Sequence, residues 1–337
     1  MDRIRQYLKE GIATFSHAQI PDYKTFGCEI IKTTEPIMVE LGKNAHAVKE
    51  PKWKDIPWSG TINKGAYFYW YAKPLHNYYH TLLDSLGCLF HYFHLKFDHP
   101  NLVLLLNKNH RNLDKWPPYV KELLDILNIP FQYTDEHAVY ENVYFGATLN
   151  QSEDGKRITP QPGQFIILEQ LVNNALDLNL DVPRFDNIYI SRRTKHNIKY
   201  SKDLIGEDNT QKRGNVDEDK VVQILEDLGY NEIFGENYTL AEKITMFHHM
   251  KKYVTNSGAG ITNTFYRKKG IIGGIGSPGL EFPDKSKHGR HMIYSSYFKN
   301  KVSIYKDTSF AQSHNQGYNN PWKINNIDNF AKWAKEL

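Results

Sequence analysis

Two strand-like segments of the sequence end in residues that could hold a phosphate group. The segment Asn187–Arg193 reads NIYISRR, a β-branched strand that closes with two arginines, Arg192 and Arg193. The segment Lys251–Tyr266 reads KKYVTNSGAGITNTFY, in which a strand runs into a Gly-Ala-Gly turn and then a helix start. A guanidinium group matches phosphate oxygens with a planar set of donors, and a glycine turn lets backbone N–H groups approach an anion. Together they predict a nucleotide or diphosphate site on one α/β domain.

Neighbouring residues extend this candidate site. Lys195 and Arg213 are further cations, and the turn contributes Ser257, Gly258, Ala259, Gly260, Thr262 and Asn263. The turn resembles a dinucleotide fingerprint with Asn263 in place of the third glycine, and Glu281 follows Gly260 at about the distance of a ribose-binding acid. Side-chain alternation sends Arg192 and Arg193 to opposite sides, so one of them is expected to reach phosphate. Structural roles stay open as alternatives to phosphate binding. The arginines could pair with a surface carboxylate such as Asp186, and the glycines could simply form a tight connection between a strand and a helix.

A second candidate constellation lies in the helical segment His76–Leu86, which reads HNYYHTLLDSL. His80 and Asp84 are four residues apart, so both project from one helix face. A carboxylate beside an imidazole fixes its tautomer and raises its basicity, which makes the pair a candidate general base. The alternative is structural, with Asp84 solvated and His80 packed among Tyr78 and Tyr79. The residues alone favour this alternative.

Taken in order, these motifs resemble glycosyltransferase family 61. The resemblance rests on the strand with SRR, the helix start RGNVDEDK, EDLGY, ENYTLAE, the GAGITN turn and the HNYYHTLLDSL block, and it spans roughly Tyr67 to Tyr305. It implies an enzyme similar to capsular-polysaccharide transferases and xylosyltransferases, with GT-B architecture and inversion at the anomeric carbon. In that scheme His80 or Asp84 is the base. Many family members have a histidine just before Gly-Ala-Gly, and this chain has Ser257 there, so no role of that histidine is transferred.

No set of metal ligands is visible in the sequence. The HNYYH segment lacks the glutamate of a zinc protease, and no cysteine or carboxylate cluster completes a zinc site. The run Asp217–Asp219 spells the Asp-x-Asp of metal-dependent glycosyltransferases, but acids at a helix start are ordinary partners of the helix dipole. We therefore predict no metal, so that arginine, lysine and helix N-termini would meet the charge of the leaving group.

Alternating strand and helix patterns indicate an α/β fold of two Rossmann-like domains that face a cleft. The first set has predicted helices at 1–15, His76–Phe97 and Tyr119–Leu127, and predicted strands at Cys28–Thr34, Ile37–Gly42, Gly65–Ala72, Asn101–Asn107, Phe131–Tyr133 and Glu141–Phe145. After a helix at Gln164–Leu178, the second set has predicted strands at Asn187–Ser191, Glu232–Phe234, Lys252–Asn256 and Gly270–Gly276. Its predicted helices are at Asp217–Leu228, at Leu240–Lys251 and near Gly260.

We assign residues 1–165 to an acceptor-side domain and residues 166–318 to a nucleotide-sugar-binding domain. The polar stretch 150–163 would lie at or near the junction. Residues 319–337 contain a last helix, Ile327–Leu337, whose apolar side is expected to pack back across the junction onto the N-terminal domain.

Composition narrows the function classes. The chain has 337 residues, 40% of them hydrophobic, with 42 Lys and Arg against 38 Asp and Glu. A net charge of +4 is too small and too dispersed to indicate nucleic acid. No apolar run is long enough to cross a membrane, and Cys28 and Cys88 offer no disulfide framework. These features lead us to expect a cytoplasmic protein of a bacterium, or of a virus acting in its host's cytoplasm.

The residues and the family resemblance together imply a metal-independent glycosyltransferase that moves a sugar from a nucleotide-diphosphate sugar, here UDP-sugar, to a glycan hydroxyl, with inversion as the resemblance implies. The donor is a co-substrate, and no further cofactor is expected. Two alternatives stay open: a nicotinamide-dependent oxidoreductase using the same glycine turn, and a catalytically inactive carbohydrate-binding protein, which Ser257 and the 13% aromatic content favour. The sugar, the acceptor and the oligomeric state stay undetermined.

Overall fold

A computed structural model describes residues 12–19, 32–33, 60–70, 78–106, 116–135, 137–146, 150–151, 159–160, 162–191, 214–276, 278, 290–311 and 321–337. The chain divides into two compact units, residues 1–171 and 172–337. The division falls within the helix Pro162–Asp177, a few residues beyond the boundary at 165 that we placed from the sequence. Each unit has its own sheet. Among the described residues, no helix is both long and apolar enough to span a bilayer.

The first unit contains a six-stranded mixed sheet. Its strands are β1 (Ile12–Gln19), β2 (Lys32–Thr33), β3 (Ile62–Tyr69), β4 (Val103–Leu106), β5 (Phe131–Tyr133) and β6 (Val139–Gly146), in the order β2-β1-β6-β3-β4-β5. Strand β3 runs parallel to β4 and β6, and β4 runs parallel to β5. Two short strands, β7 (Asn150–Gln151) and β8 (Thr159–Pro160), pair separately. The helices are α1, which occupies residues 78–98, α2 (Pro118–Ile126) and α3 (Pro162–Asp177).

The N-terminal helix that we predicted over residues 1–15 is wrong where the structure describes it. Residues Ile12–Gln19 form a strand that pairs antiparallel with β6, from Ile12 opposite Gly146 to Gln19 opposite Val139. A local helical pattern is a weak preference, and this long-range ladder overrides it. The strand predicted at Cys28–Thr34 is described only at Lys32–Thr33, and the one predicted at Ile37–Gly42 lies outside the described residues.

The second unit contains a five-stranded, wholly parallel sheet. Its strands are β9 (Asn187–Ile190), β10 (Asn231–Ile233), β11 (Lys252–Asn256), β12 (Ile271–Ile275) and β13 (Lys301–Tyr305), in the order β10-β9-β11-β12-β13. The α-helices are α4 (Glu218–Asp227), α5 (Leu240–His249), α6 (Arg290–Tyr297) and α7 (Ile327–Glu336), and 3₁₀ helices occupy Gly235–Asn237 and Ala259–Tyr266. A hairpin of β14 (Thr308–Phe310) and β15 (Trp322–Ile324) completes the unit. The predicted parallel α/β class is confirmed.

The last helix packs within the second unit. Phe330 and Ala334 of α7 are buried in one cluster with Tyr189 and Val254 of the sheet and Val221 of α4. The apolar stripe of the helix covers this sheet face, where burying a side chain as large as Phe330 contributes about 1.5–3 kcal/mol. Our expectation that the helix also packs back onto the N-terminal domain stays a prediction.

Gly273 in β12 marks how closely α7 approaches the sheet. A Cβ at this position would lie 2.6 Å from Cδ1 of Leu337 and 3.1 Å from the ring of Trp333. Cδ1 of Leu337 ends a flexible side chain that can shift, whereas Cγ2 of Val254 on the neighbouring strand, at 3.0 Å, and the Trp333 ring leave little room, so a glycine at 273 favours this close packing.

Candidate functional site

The second sheet has a topological switch point between β9 and β11. From β9 the chain crosses to β10 on one side and then returns to β11 on the other, so the connections leave in opposite directions. In open parallel sheets such a point opens a crevice outside the carboxyl ends of the strands, where ligands bind. Ser191 directly follows β9, and Asn256 ends β11 next to the last paired residues, Ile190 and Thr255. We refer to this region as the carboxyl edge.

A buried carboxylate cross-links the two strand ends. The Glu218 side chain, on the first residue of α4, accepts hydrogen bonds from the Tyr189 hydroxyl at 2.5 Å and from the Ser191 hydroxyl at 3.3 Å. Nδ2 of Asn256 lies 3.2 and 3.1 Å from the two carboxylate oxygens and also 3.2 Å from the Tyr189 hydroxyl. Because Glu218 is only 7% exposed, these donors take the place of water around its charge.

The network around Glu218 determines the protonation of Tyr189 and the orientation of the Asn256 amide. Burial raises the pKa of Tyr189 well above its ordinary value, and the negative charge of Glu218 raises it further, so the phenol stays a donor at neutral pH. The amide of Asn256 must turn Nδ2 towards the carboxylate, which leaves its buried Oδ1 without a partner among the described residues. The position of Glu218 in the first helical turn is favourable for a negative charge.

The Gly-Ala-Gly turn begins one residue after β11, and hydrogen bonds within the turn and to β11 and β12 hold it in place. Gly258 has φ +143°, a conformation that favours glycine. The Gly260 carbonyl accepts from the Tyr253 hydroxyl at 2.7 Å and from Nδ2 of Asn263 at 3.0 Å, and the Ser257 hydroxyl donates to the Ile275 carbonyl at 2.9 Å. The 3₁₀ helix that begins at Ala259 has first N–H groups that lack intrahelical acceptors, as at any helix start.

Helix α1 of the first unit changes its winding at the second candidate constellation. It is α-helical at Tyr78–His80, a π-turn at Thr81–Ser85, 3₁₀ at Leu86–Cys88 and α-helical again at Leu89–Asp98. The π-turn is closed by the Leu86 N–H, which donates to the Thr81 carbonyl. Single π-turns inside helices occur frequently at functional sites.

Two buried side chains stabilise the wider turn. Nε1 of Trp70 donates to the Ser85 carbonyl at 3.0 Å, and Nε2 of Gln164 donates to the Leu82 carbonyl at 2.7 Å. Trp70 is 2% exposed and Gln164 is fully buried, so without these donors the two carbonyls would carry a desolvation cost. The turn is therefore built into the fold of the first unit.

His80 lies immediately before the π-turn and is half-buried. Its ring meets the Tyr79 ring edge to face, with the centroids 5.1 Å apart. Asp84 lies inside the turn, and its side chain is outside the described atoms. The backbone thus places both predicted residues on one interrupted helix.

Comparison with known families now identifies the kind of protein. The model of the family described as glycosyltransferase 61 matches residues 78–272, more than half of the chain. The chain belongs to glycosyltransferase family 61. The matched residues include both the π-turn helix and the carboxyl edge as far as the Gly-Ala-Gly turn. A comparison with curated proteins finds no match.

Membership of glycosyltransferase family 61 supports transferase activity, with a sugar donor and an acceptor as the substrates. Of the predicted binding residues, the structure brings together Ser257, Gly258, Gly260, Thr262 and Asn263, with Ala259 placed by its backbone. Thr262 is fully buried, and Ser257 and Asn263 are also buried, so these side chains shape the turn. The remaining predicted residues lie outside the described part of the chain, namely Arg192, Arg193, Lys195, Arg213 and Glu281.

The Asp-x-Asp run of this family-61 chain has structural contacts. Asp217 accepts from the Ile324 N–H at 3.2 Å and from Lys220 at 3.3 Å, and Asp219 is exposed. Within the described ranges, no group of three or more histidine, cysteine or carboxylate side chains is arranged to hold a metal ion.

Sequence reasoning missed two acids at the carboxyl edge of this glycosyltransferase. Glu218 was taken only as part of a helix start, although Tyr189 and Ser191 alternate on one strand face and signal a buried polar partner. Glu236 follows β10, and burial raises its pKa, against the opposing effects of its own N–H and Lys243. A carboxyl group with a raised pKa at the carboxyl end of a strand next to β9 is suited to proton transfer or to binding sugar hydroxyls.

Proposed function

We propose that the protein transfers a sugar from a nucleoside-diphosphate sugar, such as a UDP-sugar, to a glycan hydroxyl with inversion and without a metal ion. The donor would bind at the carboxyl edge of the second unit. The observation that carries this proposal is the network in which Glu218 ties Ser191 at the end of β9 to Asn256 at the end of β11. It fixes the strand ends on both sides of the switch point, where nucleotides bind in such sheets.

Two features at these strand ends support a diphosphate ligand. Arg192 and Arg193 follow Ser191 in the chain and supply guanidinium groups, which suit phosphate oxygens. Gly258, with φ +143°, follows Asn256 and Ser257 and leads into the 3₁₀ helix, so backbone N–H groups can approach the same anion. Cations and N–H groups would together stabilise the diphosphate as it leaves.

The acceptor would be activated by the first unit, and the two units would form the GT-B arrangement that the family resemblance implies. His80 or Asp84 would take the proton from the acceptor hydroxyl while that oxygen attacks the anomeric carbon. The bond to the diphosphate breaks in the same step, so the configuration inverts. The π-turn supports this role because it holds His80 and Asp84 on a helix segment locked by Trp70 and Gln164.

Calorimetric titration with UDP, GDP and NAD tests the donor site. We expect a nucleoside diphosphate to bind, and Arg192→Ala or Arg193→Ala to weaken it by about 1.5–3 kcal/mol, the value of a charge-assisted hydrogen bond. Arg184→Ala is the matched control, because this exposed arginine precedes β9 at its other end. Binding of NAD alone, or unchanged binding in both arginine variants, would contradict the proposal.

Turnover assays complete the test. The wild-type protein should hydrolyse or transfer the sugar in the presence of EDTA, and NMR of the product should show an inverted anomeric configuration. Activity that disappears with EDTA and returns with Mn²⁺ would instead assign a metal to the reaction. Retention of configuration would contradict the single displacement.

A further inference from the structure

The amino edge of the second sheet, at the opposite ends of its strands, carries a row of lysines. The sheet register aligns the first residues of β9, β11, β12 and β13, because Lys252 lies opposite Asn187 and Ile271, and Ile271 lies opposite Lys301. Residues just before these strands add to the row. We define the amino-edge cluster as Lys251, Lys252, Lys268, Lys269, Lys299 and Lys301, of which all but the half-buried Lys252 are exposed.

Arginines strengthen the positive charge of this edge. Arg267 donates to the His248 carbonyl at 2.8 Å, at the end of α5. The pKa of His249 is lowered by burial and also by the positive charges of Arg184 and Arg267. Asp186 lies in the same region and pairs with Lys251 at 2.7 Å. Other acids of this edge, Glu226, Asp227 and Glu232, belong to α4 and β10, so the β11–β13 end is basic.

Two of these lysines occupy backbone conformations that other residues adopt more easily. Lys269 has φ +60° and Lys299 has φ +57°, each in the turn before a strand. Asparagine or glycine is the usual residue in this left-handed region, and the other non-glycine residues with positive φ in the described chain are Asn128 and Asn179. Lysines at both positions add two positive charges to this edge.

Exposed apolar side chains adjoin the cluster. Tyr297, in the last turn of α6, is 46% exposed, and Ile293, one turn earlier, is 38% exposed. The helix end lies against the cluster, because the Lys269 N–H donates to the Phe298 carbonyl at 2.9 Å and Lys299 follows directly. A tyrosine and an aliphatic residue beside lysines match a bilayer interface, where charge meets phosphate and apolar groups enter the headgroup layer.

We propose that the amino-edge cluster, with Ile293 and Tyr297, docks the protein on an anionic phospholipid surface. The lysines would lie against lipid phosphates, and the two apolar side chains would enter the headgroup layer. The carboxyl edge would remain accessible to soluble ligands, because the five-residue strands hold the two edges about 16 Å apart. A soluble polyanion without aromatic bases, such as heparin, would use the lysines but gain nothing from Ile293 and Tyr297.

Sedimentation with large vesicles tests this docking. The full-length protein should sediment with vesicles of phosphatidylglycerol and phosphatidylcholine in equal parts, and not with pure phosphatidylcholine. The triple variant Lys269→Asn, Lys299→Asn, Lys301→Gln should lower the partition coefficient on the order of 100-fold, because each lysine near an anionic surface contributes to binding and the three losses multiply. Asparagine suits the left-handed backbone at residues 269 and 299, so folding should be preserved, which circular dichroism can verify.

The matched control is Lys121→Gln, Lys220→Gln, Lys323→Gln, which removes the same charge from exposed positions elsewhere. It should bind anionic vesicles within about 3-fold of the wild type, since screening limits distant charges. Ile293→Ser with Tyr297→Ser should weaken vesicle binding but leave binding to heparin unchanged. The proposal is overturned if the wild type ignores anionic vesicles, if both triple variants lose binding equally, or if the Ile293 and Tyr297 variant binds vesicles like the wild type.

Discussion

The π-turn of the first unit and the carboxyl edge of the second unit both depend on buried polar side chains, but they use them differently. In the first unit, Trp70 and Gln164 donate to main-chain carbonyls of Ser85 and Leu82. In the second unit, three side chains from two strand ends converge on the carboxylate of Glu218. The first arrangement involves neutral partners, and the second centres on one ionisable group.

This difference predicts unequal tolerance to change. A neutral donor to a carbonyl is worth about 0.5–1.5 kcal/mol, and its loss affects one bond. A buried carboxylate with several donors is worth more, and changing it disturbs every donor at once. The first region is therefore expected to fail through lost chemistry, whereas the second is expected to fail through lost stability.

The largest effect is expected at the candidate base. His80→Ala or Asp84→Asn should lower turnover about 10²–10⁴-fold, the usual contribution of a general base, while nucleotide affinity measured by calorimetry stays unchanged. His94→Ala is the control, since this histidine is also half-buried on α1. Full activity in both variants would remove the chemical role from the π-turn.

The next effect concerns the carboxylate. Glu218→Gln should reduce the free energy of unfolding by about 2–3 kcal/mol, because the new amide presents donors to donors inside a buried site. Urea unfolding measures it, with Asp219→Asn as the exposed neighbour on the same turn, expected within about 0.5 kcal/mol of the wild type. Equal stability of the two variants would contradict a framework centred on Glu218.

A smaller effect is expected from the matching change in the first unit. Gln164→Leu removes the donor to the Leu82 carbonyl but also removes Oε1, a buried oxygen with no partner in the described structure. The two consequences oppose one another, so we expect a loss of about 1 kcal/mol by urea unfolding. A loss as large as that of Glu218→Gln would abolish the contrast between the regions.

The smallest effect appears at high pH. Burial raises the pKa of Tyr230 from 10.0 to about 12, so the unfolded chain loses this proton first. Because the folded chain holds this proton more tightly, protonated Tyr230 favours the folded state. This contribution to the free energy of unfolding is complete below pH 10 and is lost as the pH rises towards 12. Tyr230→Phe should therefore lose less stability than the wild type between these pH values in thermal melts. Parallel curves for the two proteins would show that this phenol does not contribute.

Local patterns predicted most of the second unit's elements. Strand β11 was predicted at its observed bounds, Lys252–Asn256, because β-branched and aromatic residues are bounded by lysines and a glycine turn. In the first unit β5 was likewise predicted as Phe131–Tyr133. The helix at residues 1–15 failed because the pairing of Ile12–Gln19 with β6 joins residues far apart in sequence, and periodicity carries no information about such partners.

The site was harder to predict than the fold. The motif around Gly258 was recognisable because its glycines serve the backbone, and the structure shows φ +143° there. Glu218 is bonded by Tyr189 and Asn256, which are 29 and 38 residues away in the chain. The local sequence therefore could not distinguish this buried carboxylate from an ordinary exposed acid at a helix start. The π-turn of Thr81–Ser85 was also invisible, because the apolar spacing of that segment fits an ordinary helix.

The close approach at Gly273 has an evolutionary consequence. Since an added carbon there would crowd Trp333 and require Leu337 to shift, the glycine and the last helix influence each other's variation. Homologues that keep an aromatic and an aliphatic residue at positions 333 and 337 should retain glycine at 273. Lineages that shorten or lose the final helix should tolerate alanine at 273 more readily, although Val254 of the neighbouring strand still limits the space.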